Sequence, residues 1–162
     1  MNRYTILLAF LVLVAAVGAK LAEELAVPPS TSTKGRAAAR STAEVVLPRA
    51  GDGHFYVEAD INGSTVRMLA DTGASAIVLS TEDAERAGIS VDQLDFTFAV
   101  STANGQAAAA EVDLDEVRVG SIVRRDVRAI VTRGLPVSLL GMSFFNSLST
   151  VAMEANELVL RD

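Results

Sequence analysis

The sequence predicts an all-β domain, mostly strands with one or two short helices, and three observations carry that prediction. Apolar residues recur in short runs or at period two, the pattern of strands buried on one or both faces. Asn-Gly occurs twice between such runs, at Asn62-Gly63 and Asn104-Gly105, and is the strongest short hairpin signal available. Helical patterning is confined to two brief segments, one after Ser80 and one from Met142 to Leu148.

The folded region is expected to begin near Glu44 and to occupy residues 44–162. His54 to Ile61 reads as a strand, Asn62-Gly63 as a hairpin turn, and Thr65 to Ala70 as the returning strand that delivers Asp71 at its end. After a turn at Gly73, Ala76 to Leu79 is a short apolar run suited to a buried strand. Ser80-Thr81-Glu82-Asp83 fits a capping box, followed by Ala84 to Ala87 and a terminating Gly88, which predicts a short helix. Asp95 to Val100 is the next strand, tipped by Ala103-Asn104-Gly105-Gln106. Val112, Leu114, Val117 and Val119 keep period two on either side of a one-residue slip near Asp115-Glu116, as a β-bulge would produce. Gly120-Ser121 turns the chain, and Val127 to Val131 continues the sheet. Leu135 to Gly141 is densely apolar, Met142 to Leu148 reads as the second short helix, and Thr150–Met153 with Leu158–Leu160 close the domain as strands.

Two segments precede this domain. Tyr4 to Ala19 is free of charge, preceded by Arg3 and ended by Lys20, and as a helix it would cover roughly 24 Å. Extended by Leu21 and Ala22, residues 1–22 read as an uncleaved membrane anchor. The competing reading is a cleaved signal peptide, because Val17-Gly18-Ala19 ends in the small residues that a signal peptidase accepts. A very short N-terminal tail favours export of the chain beyond the span, and hence a single-pass bacterial inner-membrane protein with a periplasmic domain. The basic residues do not reinforce this orientation, since Lys20, Lys34 and Arg36 come after the span and Arg3 alone precedes it. Residues 23–43, rich in Pro, Ser, Thr and Ala, read as a flexible linker with no means of burying a core.

Composition removes several function classes. With no cysteine in 162 residues there is no disulfide framework, no thiolate zinc site and no cysteine nucleophile. The net charge of −6 argues against nucleic acid as a partner, and the scarcity of aromatic residues argues against a base-stacking platform. His54 is the sole histidine, and the carboxylates show no metal-loop spacing, so neither a metal nor another cofactor is expected. His54 itself reads as a structural residue of the first strand.

Against this background Asp71-Thr72-Gly73-Ala74-Ser75 stands apart. Met68-Leu69-Ala70 on one side and Ile77-Val78-Leu79 on the other predict a partly buried carboxylate, which is costly unless paired, hydrogen-bonded or protonated. Gly73 permits close backbone approach, and the Thr72 and Ser75 hydroxyls can donate to the carboxylate. Taken alone, these residues read equally as a strand-end turn whose Asp caps the backbone.

The order of elements around this motif resembles that of the retropepsin-like aspartic proteases, and more narrowly the bacterial single-domain members that carry an N-terminal membrane anchor. The resembling residues include Gly53-His54-Phe55, Ile61-Asn62-Gly63, Asp71 to Ser75, Ile77 with Leu79-Ser80, Ala87-Gly88-Ile89 and Leu139 to Phe144, and they span nearly all of residues 44–162. The resemblance implies a closed β-barrel that is one half of a homodimer, with two Asp-Thr-Gly loops meeting on the two-fold axis. It implies that Asp71 is catalytic, that Thr72 grips the partner loop, and that Leu139, Leu140 and Gly141 support the loop formed by Asp71, Thr72, Gly73, Ala74 and Ser75. It places a substrate flap around Val100 to Gln106, with Thr102 and Ala103 leading to Asn104 and Gly105 at its tip. The segment lacks the longer glycine-rich tip of viral relatives and the tyrosine of pepsin-like flaps.

Peptide hydrolysis by this route needs one carboxylate to activate water and one carboxylic acid to polarise the carbonyl, two roles that a pair of Asp side chains sharing a proton can fill. The chain carries one Asp-Thr-Gly, and Asp60 and Asp113 lack the glycine turn and neighbouring hydroxyls, so the pair requires a second copy. The implied function is an aspartic endopeptidase acting on membrane-proximal proteins. Its counterpart from another class is a catalytically silent module of the same fold, tethered to the membrane, that holds an extended peptide. Ile77, Val78 and Ala107 to Ala110 suggest small or apolar walls for the substrate site.

Overall fold

The computed structural model describes residues 43–102 and 105–162. The expected anchor at residues 1–22, nearly all of the expected linker at residues 23–43, and the flap residues Ala103 and Asn104 lie outside the described residues. Among the described residues no helix is long and apolar enough to cross a membrane.

The strands are β1 (Glu44–Pro48), β2 (Tyr56–Ile61), β3 (Ser64–Ala70), β4 (Ile77–Ser80), β5 (Phe98–Thr102), β6 (Gly105–Val119), β7 (Ile122–Thr132), β8 (Ser138–Leu140), β9 (Thr150–Glu154) and β10 (Glu157–Arg161). Helix α1 (Thr81–Arg86) follows β4, a 3-10 turn spans Val91–Gln93, and α2 (Met142–Phe145) follows β8. Strands β2, β3, β8, β4, β7 and β6 are hydrogen-bonded in that order, and β6 returns to pair with β2, which closes a six-stranded barrel. β5 pairs only with β6 and stands outside the closure as a hairpin arm, while β1, β10 and β9 form a separate three-stranded sheet. Mostly β with short helices is therefore the architecture, as the alternation and turn residues indicate.

Local chemistry accounts for most elements. Asn62 and Gly63 both take positive φ, 52° and 86°, the backbone a two-residue hairpin needs to match strand twist, and they set the Ile61–Ser64 register. The Ser80 hydroxyl accepts the Asp83 N–H at the start of α1, and Gly88 at φ 80° lets the chain leave the helix. Ala59, Ile61, Val66, Met68, Ile77, Leu79, Leu114, Val117 and Leu140 fill the barrel and are fully buried.

Four local expectations change. β1 has no counterpart among the expected strands: Val-Val-Leu lacks alternation, and its partner is β10, at the far end of the chain. β2 starts at Tyr56, so His54 is not a strand residue but sits exposed in the preceding loop. β5 starts at Phe98, leaving Asp95 to Thr97 outside it. The slip at Asp115 is real but is not a one-strand bulge. Leu114 pairs with Val127 and Glu116 with Arg125, so the register runs through without an extra residue. Both strands change phase together, helped by the positive φ (53°) of Asp126. Glu116 then turns to Asn62, accepting the Asn62 N–H at 3.0 Å and donating its own N–H to the Asn62 side chain at 3.1 Å. The kink is where β6 bends over to β2 and closes the barrel.

A buried carboxylate ties α1 to β8. Asp83 accepts hydrogen bonds from the hydroxyls of Ser80 and Ser138 and pairs with Arg86 at 2.9 Å, and the Ser138 hydroxyl in turn accepts the Ser80 N–H at 3.0 Å. Because Arg86 is half exposed, removing Asp83 strands two buried hydroxyls rather than a buried cation. Asp83→Ala is expected to lower stability by about 2 kcal/mol, read as a lower urea midpoint with an unchanged slope.

Candidate active site

β3 and β4 are both neighbours of β8, β3 running parallel to it and β4 antiparallel. The connection from β3 to β4, residues 71–76, must therefore pass across the end of β8. That crossing is the candidate site. Asp71 leaves β3 with its N–H donated to the Leu140 carbonyl at 3.0 Å. Past Leu140, the Met142 N–H bonds to the Ala74 carbonyl at 2.8 Å and the Ser143 N–H to the Ser75 carbonyl at 3.0 Å. The Ser143 hydroxyl accepts the Ile77 N–H at 3.1 Å. The loop is thus strapped to β8 and the start of α2 from both of its ends.

Gly141 lies where the two chains cross. A Cβ there would clash with the Ala76 carbonyl oxygen and stand 2.7 Å from the Ala74 oxygen, both backbone atoms that cannot swing aside. Its φ is not positive, so close approach, not backbone freedom, is the reason for glycine. Leu140 is fully buried beneath, and Leu139 stays half-buried with its side chain on the groove.

The Asp71 carboxylate is half-buried, as its apolar flanks indicate. One oxygen accepts the Gly73 N–H at 2.8 Å, and a Cβ on Gly73 would stand 3.1 Å from that same oxygen, tighter than ordinary contact. The Ala74 N–H bonds back to the Asp71 carbonyl at 3.3 Å. The Thr72 and Ser75 hydroxyls, expected as donors, make no hydrogen bond to the carboxylate; the backbone turn brings the Gly73 N–H there instead, and Thr72 and Ser75 are exposed.

A groove of about 680 Å³ opens above the loop, a size suited to a bound ligand segment. Asp71, Gly73, Ala74 and Ser75 line it on the side of the loop, and Val100, Ser101, Thr102, Gln106 and Ala107 of the β5–β6 hairpin line it as well. Thr72 is not among the lining residues. Gly105 lies within β6, opposite Thr102, and the Thr102 hydroxyl donates to the Gly105 carbonyl at 2.8 Å. Of the apolar residues expected as walls, Val78 and Ala107 line the groove, whereas Ile77, Ala109 and Ala110 are buried in the domain and Ala108 is exposed without lining it. Sequence reasoning missed the opposite wall, Ile130, Thr132 and the turn Arg133-Gly134-Leu135-Pro136. Gly-Leu-Pro between two apolar runs was the available signal.

Tyr56, paired with Leu69 near the end of β3, belongs to a polar cluster with Asp52 and His54. Asp52 accepts the His54 N–H at 3.0 Å and the Tyr56 hydroxyl at 2.8 Å, and Arg67 lies over the Tyr56 ring. The backbone N–H of His54, followed by the Tyr56 hydroxyl, holds the Asp52 carboxyl below its usual range, and the Asp52 carboxylate pushes the Tyr56 hydroxyl up. A lowered folded-state pKa adds stability above the unfolded value, and this is lost as pH falls through the folded value.

The family model described as "gag-polyprotein putative aspartyl protease" matches residues 57–147. An uncharacterized protein in the cobV 5' region of Sinorhizobium sp is 48% identical over 121 residues, covering 74% of this chain and 52% of that protein, so the chain spans about half the length of that relative. The crystal structure of a retropepsin-like aspartic protease from Rickettsia conorii superposes with a TM-score of 0.68 at 34% identity, covering 74% of this chain and 91% of the other. The EIAV protease complexed with the inhibitor HBY-793 superposes with a TM-score of 0.52 at 19% identity, covering 61% and 91%, a likeness of fold.

Two outcomes test the local account. Gly141→Ala is expected to cost about 3 kcal/mol, since neither backbone carbonyl can yield, measured by chemical denaturation. Tyr56→Phe is expected to raise the Asp52 pKa toward the ordinary aspartate value, followed by NMR titration of its carboxyl carbon.

Proposed function

The chain belongs to the retropepsin-like aspartyl protease family, and from that premise we propose that it is an aspartic endopeptidase whose active centre is a pair of Asp71 carboxylates, one from each subunit of a homodimer. The observation that carries this reading is the Asp71 loop, strapped down where it lines the groove, its carboxylate half-buried and bonded to the Gly73 N–H, present once per chain.

Two carboxylates about 3 Å apart hold one proton between them. The ionised member takes a proton from water as its oxygen attacks the peptide carbonyl carbon. The protonated member gives its proton to the carbonyl oxygen. Collapse of the tetrahedral species breaks the C–N bond, with a proton passing to the leaving nitrogen. No acyl-enzyme forms, so no hydroxyl or thiol nucleophile is required. Because the two acids titrate as a pair, neither owns a pKa.

The dimer is supported by what each chain leaves open. Thr72 is exposed beside Asp71 with no hydrogen bond from its hydroxyl among the described residues, and in the proposed dimer it grips the partner loop. Val151 and Met153, the latter 64% exposed, stand on one face of the edge strand β9, an apolar strip suited to a second copy, while Val46 is exposed on the opposite face of that sheet. Leu139, Leu140 and Gly141 hold the loop in place, and the β5–β6 hairpin, with Thr102 and Gly105 flanking Ala103 and Asn104, serves as the substrate flap.

Residues 44–162 are the protease domain of this proposal, residues 1–22 its membrane anchor and residues 23–43 the tether between them. Anchoring in the bacterial inner membrane, with the domain on the periplasmic side, raises the local concentration of protomers and confines substrates to proteins near the same membrane face.

A peptide library incubated with wild-type and Asp71→Ala protein between mildly acidic and neutral pH tests the reading. Wild type is expected to cleave, and Asp71→Ala to lose at least about 1,000-fold in kcat/KM. Equal cleavage by both, or none by dimeric wild type, would sink the protease assignment.

A further inference from the structure

Two charged side chains line the groove among the described residues, Asp71 and Arg133. The other lining residues are small, apolar or neutral polar. Arg133 comes directly after the last residue of β7 and opens the turn into β8, and its N–H bonds to the Ala108 carbonyl of β6 at 3.3 Å. This places it at the root of the β5–β6 hairpin. Its guanidinium lies over the Phe96 ring, 4.4 Å from the centroid.

Stacking of this kind covers one face of the planar cation and restricts its motion, while the N–H donors at the rim of the plane stay available. Arg86, Arg118, Arg124, Arg125 and Arg161 each have a carboxylate partner. Among the described residues Arg49, Arg67, Arg128 and Arg133 have none, and of these four it is Arg133 that lines the groove, in a protein whose net charge is −6. An acidic protein thus keeps an unpaired, partly immobilised cation on the wall of its binding groove. The fork of donors matches a carboxylate bidentately.

We propose that Arg133 is a specificity residue that binds the side-chain carboxylate of an Asp or Glu in the bound peptide. The proposal rests on the protease reading of the groove and adds the substrate class. The acidic side chain is read at the hairpin root, not over Asp71, where carboxylate would face carboxylate. Because Phe96 already orders the guanidinium, little further rotamer freedom is lost on binding.

Peptides of one cleavable sequence, amidated at the C-terminus and carrying Glu, Gln or Lys at each position in turn, test this with the full chain in mild detergent. At one position wild type is expected to favour Glu over Gln by about three- to tenfold in kcat/KM, chiefly through KM, with the margin shrinking as salt is raised. Arg133→Gln is expected to erase that margin, Arg133→Glu to turn it toward Lys, and Arg133→Lys to keep part of it. Binding of the same peptides to Asp71→Asn protein, followed by fluorescence anisotropy, gives a second readout. Cleavage without a Glu preference, a preference unchanged in Arg133→Gln, or one seen only when the C-terminal carboxylate is free overturns the Arg133 assignment alone. Glu-selective binding without any cleavage by wild type overturns the protease reading alone. Neither cleavage nor Glu-selective binding overturns both.

Discussion

The structure depends on one crossing, where the chain between Asp71 and Ala76 passes over Gly141 with no room for a side chain. Hydrogen bonds from Asp71 to Leu140, from Met142 to Ala74 and from Ser143 to Ser75 hold the two segments at that distance. The crossing forces β3 and β4 to flank β8, and the barrel order results from it. It also fixes the backbone that presents Asp71, so the carboxylate's position is set by main-chain bonds and not by its own packing. Preorganisation of this kind is what a reacting group needs, because the geometry is already in place before substrate arrives. Farther back, Asp83 bonds to Ser138 at the start of β8, so the strand beneath the loop is held at both of its ends.

Charge is placed sparingly around this centre. Among the described residues the groove lining is apolar or neutral apart from Asp71 and Arg133. In the proposed dimer a second Asp71 stands beside the first, and because both cannot be ionised together the pair holds one proton and supplies both an acid and a base.

Much of this was legible in the residues because the governing interactions are local. Asn62-Gly63 announces its turn, Ser80 its helix start, and Asp71-Thr72-Gly73 with Leu139-Leu140-Gly141 the two halves of the crossing. What was illegible depends on contacts distant in sequence. β1 is a strand only because Leu47 finds Leu158. Asp95 to Thr97 read as strand, yet Phe96 is taken up under Arg133 instead. The slip at Asp115 looked like a bulge because the matching change at Asp126, on the paired strand, carries no signal in β6. The donor to the Asp71 carboxylate was expected from side chains, whereas backbone geometry assigned it to Gly73. The groove wall from Arg133 to Pro136 is a turn without periodicity, and no pattern marks which turns face a site.

The central claim is that the active centre belongs to two chains at once. Mixing wild-type and Asp71→Ala subunits, allowing exchange and measuring cleavage against the fraction of wild type tests it directly. If each centre needs an Asp71 from both subunits, activity falls as the square of the wild-type fraction, leaving about a quarter in an equal mixture. A linear fall, with about half remaining under demonstrated exchange, would show that one Asp71 suffices and would contradict the shared centre.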